Sequence, residues 1–243
     1  MGICVATTSG KGGTGKSTVS AALAVAFSKM GKRVLLVDMD EGLRCLDLIL
    51  GIDSKIVFDL ADILSGGPIS DSVYTVPSNP LISIIPAPTS IGKIEPDKLA
   101  RFAQVVKSQY DAVIFDFPAG MDFSLYSAVG SDTQFLAVCN PDPVSVRDAE
   151  AVCLALPESD LPARLVINRF DAEFIKRKIY SNIDDIIDIS GFRLIGIVPQ
   201  SRELMLLPIN HTLNSKSRGF KAIYRIACRL CGEDIRLPKI KRI

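Results

Sequence analysis

The chain has 243 residues, of which 48% are hydrophobic and 23% charged, and its formal net charge is +1. This composition supports a large apolar core and excludes an intrinsically disordered chain, and the length is typical of one α/β domain. No apolar run approaches the ~18 residues that a membrane-spanning helix needs.

We expect no secretory signal at the start of the chain, because Met1 leads directly into an apolar run without a basic segment or a cleavage site. We therefore expect a cytoplasmic protein. In a reducing cytosol the cysteines are expected to be free thiols. The six cysteines are Cys4, Cys45, Cys139, Cys153, Cys228 and Cys231.

Short apolar runs alternate with helical patterns along the whole chain. Buried strands are predicted at residues 3–8, 33–38, 81–86, 112–117, 134–139, 164–168 and 194–199. Amphipathic helices are predicted between them, at residues 15–30, 96–108 and 144–156 among others. This alternation predicts an α/β fold with a doubly wound, mostly parallel sheet and helices on both faces.

The segment between the first strand and the first helix reads GKGGTGKST at residues 10–18 and matches the phosphate-loop pattern G-x-x-x-x-G-K-[ST]. Glycines allow the backbone N–H groups to surround a polyphosphate, and the helix N-terminus adds partial positive charge. We expect Lys16 to reach the β- and γ-phosphates and Ser17 to bind Mg²⁺. The residues expected to contact the nucleotide here are Gly12, Gly13, Thr14, Gly15, Lys16, Ser17 and Thr18.

Acidic residues stand at the ends of two predicted strands. Asp38 and Asp40 follow the strand at 33–38, and Asp116 follows four apolar residues in a Walker B pattern. Ligands of open α/β sheets lie beyond the carboxyl ends of the strands, so we expect these carboxylates near the phosphate loop. Asp116 is predicted to hold a Mg²⁺-bound water. A helix-capping role is the alternative for one of the first two aspartates.

Together these motifs resemble the MinD/ParA family of deviant Walker A ATPases, and most closely its MinD branch, which places the cell-division site. The phosphate loop begins with a second lysine, Lys11, as in this family. The segments with family-like sequences are DMDEGLRCLDLILG at 38–51, DFPAG at 116–120, NPDPVSVRD at 140–148, VINR at 166–169 and GIVP at 196–199. The similar segments extend from residue 3 to about residue 233.

The resemblance implies a P-loop ATPase that uses ATP and Mg²⁺ and forms an ATP-dependent homodimer. Lys11 would reach the partner's phosphates like an arginine finger, and Asp40 would position the attacking water. The implied catalytic residues are Lys11, Lys16 and Asp40, and the implied metal site is Ser17, Asp38 and Asp116. Slow hydrolysis, stimulated by a MinC- or MinE-like regulatory partner, is the implied activity.

The resemblance also implies a base pocket and an interface. Asn168 and Arg169 would contact the adenine, and Pro199 would lie on the strand that closes the pocket. Asp142 would lie near the dimer interface, and Asp148 near Lys11.

Two residues depart from the MinD pattern. Cys45 stands where Asn is usual, and Gln200 stands where an acid is usual. Arg44 and Cys45 would lie on the face that meets partner proteins, so the identity of the partner is left open.

The C-terminal end is basic, since the last 33 residues contain nine Lys or Arg and two acids. We expect an ATPase domain at 1–233 and a short basic and aliphatic tail at 234–243. Such a tail would allow the protein to bind peripherally to the inner face of the cell membrane. Pro238 disfavours a helix through the tail. A docked helix with a solvated basic face is the alternative for the stripe formed by Arg218, Lys221, Arg225 and Arg229.

Two other functions remain open at this point. A ParA-type partition ATPase would use the basic end to bind DNA, and a metal-insertion ATPase would use Cys228 and Cys231. Structural zinc needs four ligands, so we interpret these two cysteines first as packing thiols. The single histidine, His211, is interpreted as a turn or surface residue.

Overall fold

The computed structural model describes residues 2–120, 122–155, 162–178 and 182–238. Within these residues the chain forms one eight-stranded sheet. The strands are β1 (Ile3–Ser9), β2 (Val34–Asp38), β3 (Tyr74–Thr75), β4 (Ile82–Ile85), β5 (Ala112–Ala119), β6 (Gln134–Cys139), β7 (Ala163–Phe170) and β8 (Arg193–Pro199).

Helices connect these strands. They are α1 (Lys16–Lys29), α2 (Leu46–Leu50), α3 (Leu60–Leu64), α4 (Pro96–Gln109), α5 (Phe123–Ala128), α6 (Pro143–Ala155), α7 (Glu173–Lys176), α8 (Ile183–Ser190), α9 (Arg202–Met205), α10 (Leu207–Asn210) and α11 (Arg218–Leu230). Short 3-10 helices lie at Asp53–Lys55 and Ile69–Ser72.

The strand order across the sheet is β3-β4-β2-β5-β1-β6-β7-β8. All neighbouring strands are parallel except β3 and β4. Because β5 lies between β1 and β2, Asp116 lies opposite both Thr7 and Asp38 in the register. The carboxyl ends of these three central strands therefore meet at one edge of the sheet, where ligands of such folds bind.

Successive residues of each strand face opposite sides of the sheet, and both sides are covered. Val5 and Leu36 belong to the core under α1 and α11, whereas Ala6 and Leu35 belong to the core under α4 and α5. A third apolar cluster lies under α6 and α8. The predicted doubly wound α/β fold is confirmed.

Helix α1 differs from its predicted amphipathic pattern. Its alanines are fully buried, and both Val19 and Phe27 are also buried. The helix lies between the sheet and helices α2 and α11, so it has almost no solvent face. The prediction of an amphipathic helix was wrong here because small residues allow close packing on all sides.

Two features of the fold were not predicted. The two-residue strand β3 pairs antiparallel with β4 at the edge of the sheet, and such short pairings carry no clear periodicity. Several one-turn helices also follow the strands. No helix among the described residues is long and apolar enough to cross a membrane.

Candidate functional site

The loop between β1 and α1 is open toward solvent. Gly13 has φ 82° and Gly15 has φ 87°, a left-handed backbone that favours glycine. No atom lies within 4 Å of the position that a β-carbon would occupy at Gly12 or Gly13. Because α1 begins at Lys16, its first N–H groups are available to the loop. An open, donor-rich loop at a helix N-terminus suits a phosphate chain.

Lys16 and Asp116 form the buried centre of the site. Lys16 Nζ lies 3.1 Å from Asp116 Oδ1. The same carboxylate oxygen accepts hydrogen bonds from Thr7 Oγ1 at 2.7 Å and from Ser20 Oγ at 2.8 Å. Sequence reasoning missed Thr7 and Ser20. Their only signals are a hydroxyl in an otherwise apolar strand and a hydroxyl one helical turn after Lys16.

Two buried polar atoms beside this network have no hydrogen-bond partner within the described residues. They are Asp116 Oδ2 and Thr14 Oγ1. A buried polar atom without a partner costs about 1–3 kcal/mol, and a ligand that supplies one would recover that cost. Both atoms therefore suit a nucleotide and its hydrated metal.

The candidate metal-binding residues lie around Lys16. Ser17 Oγ is 3.4 Å from Lys16 Nζ, and Asp38 lies opposite Asp116 on the neighbouring strand. One hydroxyl and two carboxylates are hard oxygen ligands of the kind that Mg²⁺ prefers together with water. The chemistry of Ser17, Asp38 and Asp116 thus fits a hydrated Mg²⁺.

Asp38 lies fully buried at the end of β2. Its Oδ1 accepts a hydrogen bond from Asp40 N at 3.0 Å, and its Oδ2 accepts one from Leu46 N, the first residue of α2, at 3.1 Å. Burial, reinforced by the charge of Asp116, raises the pKa of Asp38 to about 7. Asp38 therefore accepts a hydrogen bond at the start of helix α2. This is the helix-capping role that the sequence offered as the alternative for either Asp38 or Asp40.

Asp40 is less buried than Asp38, and its carboxyl is influenced by the charges of Lys16 and Asp116. Burial raises the pKa of its carboxyl, and the charge of Lys16 opposes that effect. Within the described residues, its carboxylate accepts no hydrogen bond. Asp40 is thus the acid of this segment whose oxygens are free to meet a ligand.

Glu41 fixes the backbone next to Asp40. Its carboxylate accepts hydrogen bonds from the N–H groups of Gly92 at 2.8 Å, Lys93 at 2.6 Å and Ile94 at 2.9 Å. The turn after β2 is therefore tied to the loop before α4. Sequence reasoning missed this contact because the two segments are about 50 residues apart.

Lys11 forms an ion pair within the same chain. Its Nζ lies 3.4 Å from Asp142 Oδ1, and about a third of each side chain is exposed. Asp148 packs against the loop through its backbone and β-carbon, which would lie 2.5 to 2.8 Å from a β-carbon at Gly10. Asp148 therefore lies against Gly10, the residue before Lys11, while Asp142 is the acid that Lys11 contacts.

A cleft of about 180 Å³ lies beside the phosphate loop. It lies between the start of α1 and the carboxyl ends of β7 and β8. Its lining residues are Gly15, Thr18, Val19, Asn168, Arg169, Pro199, Gln200, Ser201, Leu204 and Met205. The three predicted base-contact residues, Asn168, Arg169 and Pro199, are thus brought together. The short helix α9, which sequence reasoning missed, supplies the outer wall.

A bulge in β7 aims Asn168 into the site. The register with β8 shifts between Ile167 and Phe170, and Arg169 there has φ 52°. Asn168 Nδ2 donates to Thr14 O at 2.8 Å, and a β-carbon at Gly15 would lie 2.5 Å from that nitrogen. Bulges of this kind re-aim side chains next to functional sites. The φ angle of Gly15 favours glycine, and a β-carbon there would force the Asn168 amide out of its bond to Thr14 O.

The remaining singled-out residues have structural contacts. Arg44 Nε lies 2.7 Å from Asp47 Oδ2, and Cys45 is half-buried beside it. His211 lies at the end of α10 with φ 51°, and its Nδ1 lies 3.1 Å from Ile49 O. The interpretation of His211 as a turn residue is confirmed.

Cys228 and Cys231 lie at the end of α11. Cys228 is buried, and Cys231 contacts the sulfur of Met30 at 4.0 Å. Burial raises the pKa of both thiols, which disfavours the thiolates that bind metal. No cluster of three or more His, Cys, Asp or Glu side chains suited to a metal ion is found among the described residues.

The segment after α11 is held against the sheet by Arg229. Its Nε donates to Ile235 O at 2.7 Å and its Nη1 to Ile195 O at 2.8 Å. Pro238 lies over a cleft of about 210 Å³. The cleft is lined by Ile197, Pro199, Arg218, Lys221, Ala222, Arg225 and Pro238. Arg218, Lys221 and Arg225, three of the four cations of the predicted stripe, therefore share one surface. The end of the predicted tail, residues 239–243, lies outside the described residues.

Comparison with known proteins gives concordant matches. Residues 5–214 match the CobQ/CobB/MinD/ParA nucleotide binding domain. The septum site-determining protein MinD of Bacillus subtilis is 34% identical over 255 residues, which cover 99% of this chain and 93% of that protein.

Solved structures are similar over nearly the whole chain. The MinC:MinD cell division protein complex of Aquifex aeolicus matches with a TM-score of 0.86 and 31% identity, covering 97% of this chain and 98% of that chain. The Pyrococcus horikoshii septum site-determining protein MinD complexed with Mg-ADP matches with a TM-score of 0.81 and 27% identity, covering 95% and 96% of the two chains.

Proposed function

The chain belongs to the CobQ/CobB/MinD/ParA nucleotide-binding family, and from that premise we propose that it is a MinD-like septum site-determining ATPase that uses ATP and Mg²⁺. The observation that carries this proposal is the phosphate loop beside the buried Lys16–Asp116 pair. Its glycine geometry and its two unpartnered polar atoms suit a nucleotide with a hydrated metal.

In this proposal each residue has a task set by its position. Lys16 leaves Asp116 Oδ1 and neutralises charge at the β- and γ-phosphates. Thr7 and Ser20 keep Asp116 in place meanwhile, because both continue to donate to it. Ser17, Asp38 and Asp116 would hold Mg²⁺, which neutralises phosphate oxygens when bound.

Asp40 orients the attacking water in this proposal. Its backbone is fixed on both sides, through the bond from its N–H to Asp38 Oδ1 and through the three bonds of Glu41 to the 92–94 segment. Its carboxylate remains available, which suits a water-positioning group. At the base end, Asn168, Arg169 and Pro199 would enclose the adenine.

We further propose that ATP closes a homodimer and that hydrolysis is slow until a partner stimulates it. Lys11 would leave Asp142 and reach the phosphates of the second protomer. An ion pair that is about one-third exposed is worth only about 0–1 kcal/mol. Breaking the Lys11–Asp142 ion pair therefore costs little free energy compared with what a new contact between Lys11 and phosphate would contribute.

The central experiment measures Mg²⁺-dependent phosphate release and, by light scattering, mass with and without ATP. Wild type is expected to dimerise with ATP, Asp40→Ala to remain dimeric with slow turnover, and Lys11→Ala to remain monomeric. Lys55→Ala, at an exposed lysine away from the loop, is the matched control and should behave as wild type. One oligomeric state for wild type, Lys11→Ala and Asp40→Ala in ATP would refute the dimer.

The basic C-terminal end supports a second part of the proposal, an ATP-dependent contact with an anionic membrane. Arg218, Lys221 and Arg225 form no ion pair with any described residue, and the tail adds further basic and aliphatic residues. Each basic residue near an anionic surface contributes about 1 kcal/mol. Two tails in a dimer would raise avidity by ~10²–10⁴ if both reach the surface.

Co-sedimentation tests this contact. Binding to anionic vesicles should increase with ATP, weaken with salt and disappear when residues 234–243 are deleted. Neutral vesicles and duplex DNA are the parallel samples. Binding to DNA alone would favour a ParA-type partition function, and binding that survives the deletion would assign the contact to the cations of α11.

The partner is proposed to be a MinC-like regulatory protein, because the similar Aquifex aeolicus structure is a MinC:MinD complex. The exposed side chains of Leu43 and Leu48 flank Arg44 and Cys45 beside the site. Substitution of Leu48 by Ser should weaken binding of such a partner in calorimetry and leave ATP affinity unchanged. Unchanged partner affinity would exclude this face.

A further inference from the structure

Tyr126 lies beneath the segment that follows Asp116, and its hydroxyl joins two parts of the site. This hydroxyl donates a hydrogen bond to Gly120 O at 2.8 Å and lies 2.5 Å from Thr8 Oγ1. Thr8 is on β1, immediately before the phosphate loop, and Gly120 ends the segment that begins at Asp116. Because the tyrosine proton goes to Gly120 O, the proton of Thr8 goes to the tyrosine oxygen.

Gly120 is fixed from both sides. Its N–H donates to Ser9 O at 3.0 Å, and its carbonyl accepts from Tyr126. Its φ is 110°, a value that side chains rarely adopt, and no neighbouring atom would meet a β-carbon there. Gly120 has no side chain to anchor it, so these two hydrogen bonds are the polar contacts that fix its peptide groups.

The ring of Tyr126 is held independently of its hydroxyl. It packs edge-on against Phe117 at 4.9 Å and Phe123 at 5.8 Å, and tilted against Phe135 at 5.5 Å. The residue is 1% exposed, and burial raises the pKa of its hydroxyl, so it stays a neutral donor. A rigid aromatic cluster thus presents one hydroxyl at a fixed place, which is a requirement for positioning another group.

From these contacts we infer that Tyr126 is a positioning residue of the ATPase: it holds Gly120, and with it the segment after Asp116, in register with the phosphate loop. The inference rests on the proposed ATPase function. Asp116 Oδ1 is already held by Thr7, Lys16 and Ser20, so nucleotide binding does not depend on Tyr126. The geometry of the segment from Asp116 to Gly120 during turnover, in contrast, depends on Tyr126.

The test is Tyr126→Phe, which keeps the ring and removes the hydroxyl. One hydrogen bond of about 1 kcal/mol corresponds to roughly a fivefold effect, so kcat for phosphate release should fall about fivefold. KM for ATP and the affinity for ADP should stay within about twofold of wild type, since Lys16 and the loop are untouched.

Tyr74→Phe is the matched control. The hydroxyl of Tyr74 bonds the N–H groups of Val57 and Phe58, both at 2.9 Å, and the carbonyl of Phe58, on the edge strand β3. Both variants lose a bonded hydroxyl, so both should lose some thermal stability. Only Tyr126→Phe should lower kcat, and a purely structural role would lower it in both or in neither.

Thr8→Val is a second variant in case Tyr126→Phe does not fold. It removes the hydroxyl that donates to the Tyr126 oxygen, and an intermediate loss of kcat is expected. Absence of turnover in wild type with Mg²⁺ and ATP would refute the proposed function. Turnover in wild type with equal kcat in Tyr126→Phe and Tyr74→Phe would refute the role of Tyr126 alone.

Discussion

The phosphate end and the base end of the cleft are built in different ways. At the phosphate end, three donors already satisfy one oxygen of Asp116, and Lys16 is one of them. At the base end, a cleft of about 180 Å³ is lined by apolar side chains such as Leu204 and Met205, by neutral polar side chains and by Arg169. At the phosphate end, the protein itself compensates the buried charge of Asp116. At the base end, the cleft contributes mainly a shape that can enclose a ligand.

This difference predicts two classes of variant. A change at the phosphate end removes a ligand contact and also leaves a buried charge without its partner, so binding and stability are both expected to fall. A change at the base end removes contact with the base and leaves no unpaired charge, so only affinity is expected to fall.

The largest effect is expected for Lys16→Ala. ATP affinity should fall by about 3 kcal/mol or more, a hundredfold or more, because a charge on the phosphates is lost. The free energy of unfolding should also fall by about 3–5 kcal/mol, since Asp116 loses its buried partner. Calorimetry and thermal denaturation measure the two effects.

Lys29→Ala is the control for Lys16→Ala, because Lys29 lies at the far end of the same helix. It should leave both quantities near wild type. Near-normal ATP affinity in Lys16→Ala would exclude the phosphate-loop assignment.

A pH-dependent effect is expected for Asp38→Asn in protein without nucleotide and with chelator present. Burial raises the pKa of Asp38 from 3.8 to about 7, so the folded state holds this proton more tightly than the unfolded state. Wild type should therefore lose stability as the pH rises from about 4 to about 7 and lose no more above that range. Asp38→Asn lacks this loss and should be more stable than wild type at pH 8 by up to about 4 kcal/mol, since one pKa unit corresponds to about 1.4 kcal/mol.

Chemical denaturation at several pH values measures this difference, and Asp53→Asn at an exposed surface acid is the control. The gap between Asp38→Asn and wild type should close as the pH falls toward 4. Parallel pH profiles for wild type and Asp38→Asn would show that Asp38 titrates normally.

A smaller effect is expected for Asn168→Ala at the base end. Loss of one buried hydrogen-bonding side chain costs about 1–1.5 kcal/mol, so ATP affinity should fall roughly tenfold. The melting temperature should fall by no more than in the control, Asn79→Ala, whose amide bonds Ser28 Oγ at 2.7 Å far from the cleft.

Fluorescence titration with ATP and with inorganic triphosphate separates the two ends in Asn168→Ala. Affinity for triphosphate should be unchanged, because the phosphate end is intact. An equal loss for both ligands would mean that Asn168 acts through Thr14 and the loop, and the distinction between the two ends would fail.

The segments that carry the site were predictable from the sequence, whereas several of its contacts were not. The phosphate loop, Asp38 and Asp116 follow from local patterns, because glycine spacing and an acid after an apolar strand have meaning within a few residues. Thr7, Ser20, Glu41 and Tyr126 give no such signal. Each of these side chains forms hydrogen bonds with a residue that is distant in the sequence. Only the folded structure therefore shows which residue that is.

The sequence by itself determined the order of strands and helices, the family-like motifs and the edge of the sheet where they meet, since these depend on periodicity and on short local spacing. The tertiary structure decided that α1 is enclosed on all sides, that Lys11 contacts Asp142, and that Tyr126 joins Thr8 to Gly120. Those contacts join residues far apart in the chain, and their geometry is set by packing, which no local pattern records.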